Sequence, residues 1–152
     1  MQTPLSKLRP RRKREPLSRS QIMARIRSID TRPEISTRAA VHALGIRFRK
    51  HVRDLPGKPD LANKRRRWAI FVHGCFWHSH RNCNLASAPK SNTVFWTEKL
   101  NRNQVRDAEK IVALHCMGFR VLIVWECEVR DGNRLETALE EFFSHAVAAE
   151  RR

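Results

Sequence analysis

The sequence predicts an α/β fold in which a long helix connects two buried strands of one sheet. Two continuous apolar runs, Trp68–Val72 and Phe119–Trp125, are typical of strands covered on both faces. The segment between them, from Thr93 to about Met117, has the length and apolar spacing of a helix, and Gly118 is suited to end it. A helix that joins two buried strands is a crossover connection, which indicates an α/β sheet.

Shorter elements precede this unit. Ser20 has the side chain of a helix cap and predicts a short first helix. Thr31 and Glu34 have the spacing of a capping box, so a second helix is expected to run from there to Gly45. Residues 46–52 alternate roughly as a half-buried strand would, and residues 61–62 form a short strand before a basic turn at 63–67.

The last predicted element is an amphipathic helix from Asn133 to Ala148, which we expect to pack on the outside of the domain. At 152 residues, the chain has the size of one domain. We interpret residues 1–19 as a basic, disordered N-terminal arm and residues 20–152 as the folded domain.

The charge of the chain indicates a polyanionic partner. Lys and Arg number 31 against 15 Asp and Glu, which gives a formal net charge of +16. DNA, RNA and an acidic membrane surface are the partners that such an excess favours. The sequence contains no apolar run typical of a membrane span or a secretory signal. We therefore expect a reducing, intracellular compartment, where four cysteines serve as thiols or metal ligands rather than disulfides.

Cysteines and histidines cluster in the segment after the first buried strand. Three cysteines and one histidine suit a closed tetrahedral zinc site, namely Cys75, His80, Cys83 and Cys127. His73 and His78 lie in the same segment and leave other ligand selections open, and unliganded thiols with surface histidines are the alternative. Cys116 lies beside Leu114 in the long helix and is interpreted as a small core residue.

Carboxylates and histidines near the buried strands are candidates for hydrolytic chemistry. Asp60 can offer its carboxylate to a hard divalent cation such as Mg²⁺, although an aspartate after proline is also common in turns. His73 and His78 are candidate general bases, or alternatively zinc ligands or solvated histidines. Asp107 has two interpretations: it orients a histidine, or it pairs with Lys110 on the helix surface.

The tryptophans divide into two groups. Trp68 and Trp125 lie in the apolar strands and are expected in the core. Three further aromatic residues lie outside the core pattern, and flat side chains of this kind can be inserted between base pairs: Phe76, Trp77 and Trp96. The alternative for the Phe76–Trp77 pair is that it covers the zinc site.

Six motifs along the chain match one known family. They are Met23 through Arg32-Pro-Glu34, Asp54-Leu-Pro-Gly-Lys-Pro-Asp60, Ile70-Phe-Val-His-Gly-Cys-Phe-Trp-His78, Thr93-Val-Phe-Trp-Thr-Glu-Lys99, Asn103 to Asp107, and Val124-Trp-Glu-Cys127. In this order they resemble the very-short-patch-repair DNA mismatch endonucleases, over Ser18 to Arg130. The resemblance implies a restriction-endonuclease-like three-layer core, with a mixed central sheet flanked by helices and one structural Zn²⁺ site.

The resemblance also implies an activity. A member of this family would use Mg²⁺ to nick one strand beside the thymine of a T·G mismatch, which arises when 5-methylcytosine deaminates, and so initiate very short patch repair. Asp60 and the backbone carbonyl of Val72 would bind Mg²⁺, and Glu34, already explained by its capping position, would reach the metal through water. His78 would be the general base and Asp107 would orient a histidine.

The remaining roles implied by the resemblance concern DNA and structure. His73 would contact phosphate or water. An aromatic wedge would be formed by Phe76, Trp77 and Trp96, with Met23 entering from the other groove. Zn²⁺ would be held by Cys75, His80, Cys83 and Cys127. The second acid and lysine of many restriction-like nucleases are missing after Asp60, and the zinc loop is a residue longer than the commonest family spacing.

Two other functions are compatible with parts of the sequence. One is a zinc-stabilised DNA-binding module without catalysis, and the other is a restriction or homing nuclease that cuts matched DNA. The expected partner in the leading interpretation is double-stranded DNA with a T·G mismatch, with functional links to mismatch-repair proteins and a DNA polymerase. We expect a monomer without membrane association, cytoplasmic in a bacterium and associated with the nucleoid.

Overall fold

A mixed sheet forms the centre of the fold in the computed structural model, which describes residues 29–87 and 89–149. Its strands are β1 (Arg49–Lys50), β2 (Leu61–Asn63), β3 (Trp68–His73) and β4 (Arg120–Trp125), in the order β1-β2-β3-β4. The β1–β2 and β2–β3 pairs are antiparallel. The β3–β4 pair is parallel, with His73 opposite Trp125, so the predicted crossover sheet is confirmed.

Four α-helices accompany the sheet within these described ranges. They are α1 (Arg32–Ala43), α2 (Thr93–Cys116), α3 (Glu126–Arg130) and α4 (Gly132–Ala149), and a 3-10 turn covers Asn84–Ala86. Helix α2 is the connection between β3 and β4. It ends before Gly118, whose φ of 77° is a left-handed conformation that glycine adopts without strain.

Helices cover both faces of the sheet because β3 sends alternate side chains to opposite sides. Trp68 and Ile70 enter one core, where they pack with Leu139 of α4. Ala69 enters the second core, where it packs with Leu114 of α2. The predicted mixed sheet flanked by helices is therefore confirmed. Strand β3 is packed against a core on each of its two faces, which fixes the position of its last residues.

The predicted amphipathic helix is confirmed as α4, which flanks the sheet with one face exposed and the other, including Leu139, in the core. Two details of the prediction are wrong. The strand predicted at 46–52 is reduced to Arg49–Lys50, because His51 has a φ of 49° and leaves the extended conformation. Cys116 is exposed rather than buried, because it is two residues from Leu114 and so lies on the opposite side of α2. Helix α3 was not predicted.

Some predictions fall outside the described residues. The helix capped by Ser20, the role of Met23 and the basic arm at 1–19 belong to this part of the chain, so the domain division stays a prediction. Among residues 29–87 and 89–149, no helix combines the length and the apolar character needed to cross a membrane.

The position of α4 in the core gives a stability prediction. Leu139 has no exposed surface, and we expect Leu139→Ala to lower the free energy of unfolding by about 2–5 kcal/mol through reduced burial and a cavity. Val112→Ala, at a side chain that is 59% exposed on α2, is the control and should stay within about 0.5 kcal/mol of the wild type. Urea unfolding measures both, and a Leu139→Ala value inside the control's range would contradict a core position for α4.

Candidate active site and metal centre

Asp60 lies where the β2–β3 ladder ends. The register pairs Leu61 with Ile70, so Asp60 is one residue before β2 and faces the end of β3. Its Oδ2 accepts a hydrogen bond from the Val72 N–H at 2.7 Å. The carboxylate thus takes the place of a backbone acceptor that a longer β2 would supply. This arrangement brings the Asp60 carboxylate next to the Val72 backbone.

The environment of Asp60 disfavours its negative charge. Burial raises the pKa of Asp60 to about 6, the hydrogen bond from Val72 opposes that rise, and the nearby carboxylate of Glu34 adds to it. A desolvated carboxylate beside a second acidic group is stabilised when a divalent cation supplies positive charge. Asp60 therefore fits a hard cation that accepts oxygen ligands, such as Mg²⁺.

Glu34 has a complete structural role at the start of α1. Its N–H donates to Thr31 Oγ1 at 3.4 Å, the Thr31 hydroxyl donates to Glu34 Oε1 at 2.8 Å, and the Asp30 N–H donates to Glu34 Oε2 at 3.0 Å. The predicted cap at Thr31 is confirmed. The Glu34 side chain is nevertheless buried close enough to Asp60 to affect its pKa, so capping places a second carboxylate at the site.

Two histidine rings are stacked beside this edge of the sheet. His73, the last residue of β3, lies parallel to His78 with ring centroids 3.8 Å apart. Asp107 of α2 reaches His78 from the other side, with Oδ2 2.5 Å from Nδ1. Lys110 Nζ also donates to Asp107 at 3.3 Å, so Asp107 contacts both partners that the sequence suggested, a histidine and Lys110.

The charges of this group are set by burial and by its neighbours. Burial, together with the nearby His78, lowers the pKa of His73 to about 3, so His73 is neutral at neutral pH. Burial alone would raise the pKa of Asp107, but the hydrogen bond and charge of His78 outweigh burial and hold it below its usual value. An ionised Asp107 favours a proton on His78 Nδ1 and leaves Nε2 as the proton acceptor.

A second group of ligand-type side chains joins the loop after β3 to helix α3. Its members offer donor atoms that all lie within 4.8 Å of one another: Cys75, His80, Cys83 and Cys127. His80 Nδ1 is 3.6 Å from Cys75 Sγ and 3.4 Å from Cys127 Sγ. Tetrahedral zinc with ordinary bond lengths separates sulfur and nitrogen ligands by about 3.6 Å. The donor set and its spacing therefore fit Zn²⁺, and His80 is the histidine that joins the three cysteines.

Trp125 connects the two groups. Its ring stacks on His80 with centroids 4.1 Å apart and meets His73 edge-on at 5.4 Å. Trp125 is only half-buried, so its predicted place in the core is wrong. Because it is the last residue of β4 and pairs with His73, it lies at the site edge of the sheet.

The predicted wedge residues form one aromatic cluster. Phe76 lies 5.0 Å from Trp77 and 5.5 Å from Trp96 between ring centroids, and all three side chains are half-buried. Lys99 holds its Nζ 5.3–5.6 Å from the rings of Trp77, Trp96 and a fourth aromatic residue, Phe95. A cationic group over exposed aromatic faces is chemically suited to stacked bases and phosphates.

Comparisons with known proteins agree with this geometry. A family described as DNA mismatch endonuclease Vsr matches residues 13–85. The type II nicking enzyme V.XorIIP of Xanthomonas oryzae pv. oryzae is 45% identical over 82% of this chain and 90% of its own length. This chain belongs to the Vsr family. The DNA mismatch endonuclease Vsr of Escherichia coli is 40% identical over 88% of this chain and 85% of its own.

A solved structure extends the comparison to the fold. The catalytic domain of the homing endonuclease I-Bth0305I has a TM-score of 0.53 to this chain, with 20% sequence identity, over 77% of this chain and 98% of that domain. The similarity shows a fold shared with an endonuclease domain. The predicted resemblance to the mismatch endonuclease family is confirmed by the family match and the sequence relatives.

Several residues at the site were missed by the sequence analysis. His51 and Asp30 form a group with Glu34 near Asp60, and Asp30 Oδ1 lies 2.6 Å from Arg38. The sequence held no signal for His51, because its place near Asp60 comes from pairing between segments, in which the His51 N–H donates to the Asp60 carbonyl at 3.0 Å. The signal for Lys99 was its spacing of three and four residues from two aromatic side chains of α2.

The raised pKa of Asp60 gives a prediction for Mg²⁺-free protein. Its folded pKa of about 6 lies above the unfolded value of about 3.9, so the wild type loses stability as pH rises from about 4 through 6. Asp60→Asn removes this loss, and we expect the variant to be more stable than the wild type by about 1–3 kcal/mol at pH 8 and nearly equal to it at pH 4. Denaturant unfolding across this pH range measures the gap, and a gap that does not change with pH would contradict the burial of this charge.

Proposed function

We propose that this protein is a Mg²⁺-dependent endonuclease that nicks one strand of duplex DNA next to the thymine of a T·G mismatch. The observation that carries the proposal is the meeting of Asp60, hydrogen-bonded to Val72, with the stacked His73 and His78 at one edge of the sheet. Membership of the Vsr family supports the same activity. The nicking enzymes among its relatives support cleavage of one strand.

Asp60 and the Val72 carbonyl are the proposed ligands of the catalytic metal. A bound Mg²⁺ would neutralise charge on the scissile phosphate and polarise a water. Glu34, which is held beside Asp60 by its contact with Thr31, would hydrogen-bond to water bound to the Mg²⁺. Because the Glu34 carboxylate adds to the cost of the negative charge on Asp60, a cation beside them is favoured.

His78 is the proposed general base. Asp107 fixes its Nδ1, which leaves Nε2 to take a proton from the attacking water. His73 stays neutral because it is buried, so it supports the His78 ring by stacking and offers a neutral contact to phosphate or water. With these separate roles for His78 and His73, hydrolysis would proceed although β3 lacks the second acidic residue and the lysine of many restriction-like nucleases.

The aromatic cluster is the proposed mismatch reader. Phe76, Trp77 and Trp96 would enter the base stack beside the T·G pair, and Met23 would enter from the other groove. Unstacking costs a few kcal/mol per step and costs least at a mismatched pair, so a wedge selects mismatches energetically. Asn103 donates to the Trp77 carbonyl at 3.0 Å, which would keep the wedge in place while the stack opens.

Zn²⁺ is the proposed structural metal. Cys75, His80, Cys83 and Cys127 would hold it, and the loop that carries Phe76 and Trp77 would be fixed to α3. The substrate partner is T·G-mismatched duplex DNA, with functional links to mismatch-repair proteins and a repair polymerase. We propose a cytoplasmic, nucleoid-associated monomer.

The proposed activity is tested with a labelled duplex that carries one T·G pair, beside its T·A control, with Mg²⁺ and in Mg²⁺-free buffer. We expect one nick at the thymine of the mismatched duplex that requires Mg²⁺. Asp60→Asn should reduce the rate at least 100-fold through loss of metal binding, while mismatched DNA is still bound. Several flanking sequences are included, because sequence context is a separate variable.

The other outcomes separate the alternatives. Binding without cleavage in every sequence context would favour a DNA-binding module. Equal cleavage of the T·G and T·A duplexes would favour a nuclease for matched DNA and would rule out mismatch selection by the wedge. Unchanged nicking by Asp60→Asn would exclude Asp60 as a metal ligand.

The zinc assignment gives a separate prediction. We expect about one Zn²⁺ per purified chain by elemental analysis, and we expect Cys127→Ser to remove it and to lower thermal stability. Cys116→Ser is the matched control, since Cys116 is exposed and outside the ligand group, and it should keep both the metal and the melting temperature. Full zinc content in Cys127→Ser would contradict the assignment.

A further inference from the structure

The edge of the sheet beside β1 carries a concentration of positive charge. Residues 47–67 contain nine Lys and Arg but only two Asp. One of these, Asp60, belongs to the candidate active site, and the other, Asp54, forms an ion pair with Lys64. None of the six arginines in this segment has a carboxylate within ion-pair distance among residues 29–87 and 89–149, and all six are exposed. Four of the six form two groups, one around β1 and one in the β2–β3 turn: Arg47, Arg49, Arg65 and Arg66. We call these four residues the β1-edge patch.

The β1-edge patch is held on an ordered framework. Asn63 Nδ2 donates to the Arg47 carbonyl at 2.9 Å, and Asn63 Oδ1 accepts from the Arg66 N–H at 3.0 Å. The Arg67 carbonyl accepts from the Arg120 N–H at 2.9 Å. The β2–β3 turn is therefore tied both to the segment before β1 and to the start of β4. Because the backbone that carries these arginines is already ordered, less conformational entropy is lost when they bind a ligand.

The patch borders two adjoining grooves. One, of about 340 Å³, is lined by Arg47, Arg49 and Arg65 with Phe48 at its side. The other, of about 750 Å³, shares Arg49 and continues past Lys50. Together they form a depression along the sheet edge, and five of its ten lining residues are cations.

We propose that the β1-edge patch binds the sugar–phosphate backbone of duplex DNA outside the nicking site, an inference that rests on the proposed DNA substrate. Guanidinium groups bind phosphate oxygens through paired hydrogen bonds and keep their charge at any physiological pH. An acidic protein partner would need an exposed apolar centre to its interface. The apolar lining residues of the groove are not exposed, since Val52 and Ala62 are buried and Phe48 is half-buried, so its exposed surface is mainly that of the cations. A polyanion with regularly spaced charges fits better.

The patch lies at the opposite end of the β2–β3 hairpin from Asp60. Asn63 pairs with Trp68 at the turn, and the Asp60 contact is at Val72, four residues along β3. At about 3.3 Å per strand residue this is about 13 Å, which corresponds to about four base-pair steps of 3.4 Å. The patch would therefore contact flanking phosphates and add affinity without reading the mismatch.

The test compares Arg65→Gln/Arg66→Gln with the matched control Arg130→Gln/Arg134→Gln. The control removes the same charge from exposed arginines that pair with Glu126 and Glu128. Affinity for duplexes of about 7 base pairs (the strands joined by an uncharged linker) and about 30 base pairs, each with a central T·G pair, is measured at several salt concentrations; only the longer one has phosphates about four base-pair steps from the mismatch. Melting temperatures of both variants establish that they are folded.

We expect the patch variant to bind the long duplex more weakly than the wild type does. Its affinity for the T·G and T·A versions of that duplex should decrease by the same factor. The slope of log K against log salt should become shallower by about 0.9 for each phosphate that the variant no longer neutralises. On the short duplex the decrease in affinity should be smaller, because flanking phosphates are missing there. Nicking at saturating protein should be unchanged, since Arg65 and Arg66 lie away from Asp60.

Equal slopes for the patch variant and the control would overturn the proposal, as would an equal decrease in affinity on short and long duplexes. A decrease confined to T·G duplexes would also overturn it, because that result requires an interaction at the mismatch. Failure of the proposed function gives a different result: the wild type would leave the mismatched strand intact, while a patch-dependent salt slope on long DNA would still support the β1-edge patch.

Discussion

The parallel pairing of β3 with β4 joins the histidine group of the candidate site to the cysteine group. His73 is paired with Trp125, and the same offset brings Cys75 next to Cys127, whose N–H donates to the Cys75 sulfur at 3.4 Å. The ends of the two strands therefore deliver a histidine, an aromatic ring and two thiols to one edge. A slip of one residue in this register would turn the side chains of one strand to the other face of the sheet and separate His73 from Trp125. The apolar contacts that hold the register are thus also what assemble the chemistry.

The site is built from groups that are unfavourable when considered alone. Asp60 is half-buried with a raised pKa, and His73 is buried with a lowered pKa, so the fold suppresses charge on both. Neither is left without a partner: Asp60 accepts from Val72, and His73 lies between His78 and Trp125. Perturbed titratable groups that converge on one edge are typical of catalytic sites, where burial gives carboxylates and imidazoles properties they lack in water. Surface residues of the same types would stay close to their ordinary values.

Local sequence patterns predicted what depends on local structure. The Thr31 cap and the end of α2 near Gly118 follow from spacing and backbone freedom, and both are present. Trp125 was assigned to the core because its strand is apolar, but a strand's last residue can lie at the rim, and only the register with β3 shows that it does. The contact between His78 and Asp107 was suggested by chemistry, whereas the proximity of His51 to Asp60 depends on pairing between segments that sequence periodicity does not reveal.

The distribution of tryptophans has a consequence for spectroscopy. The chain has four tryptophans and no tyrosine, so its intrinsic ultraviolet fluorescence comes almost entirely from indole. Trp68 is buried in the core, whereas Trp77 and Trp96 belong to the aromatic cluster and Trp125 stacks on His80. Three of the four emitters therefore lie at the candidate site. A change in emission on adding a ligand to the folded protein would report mainly on that edge of the molecule, with Trp68 as an internal reference for the rest.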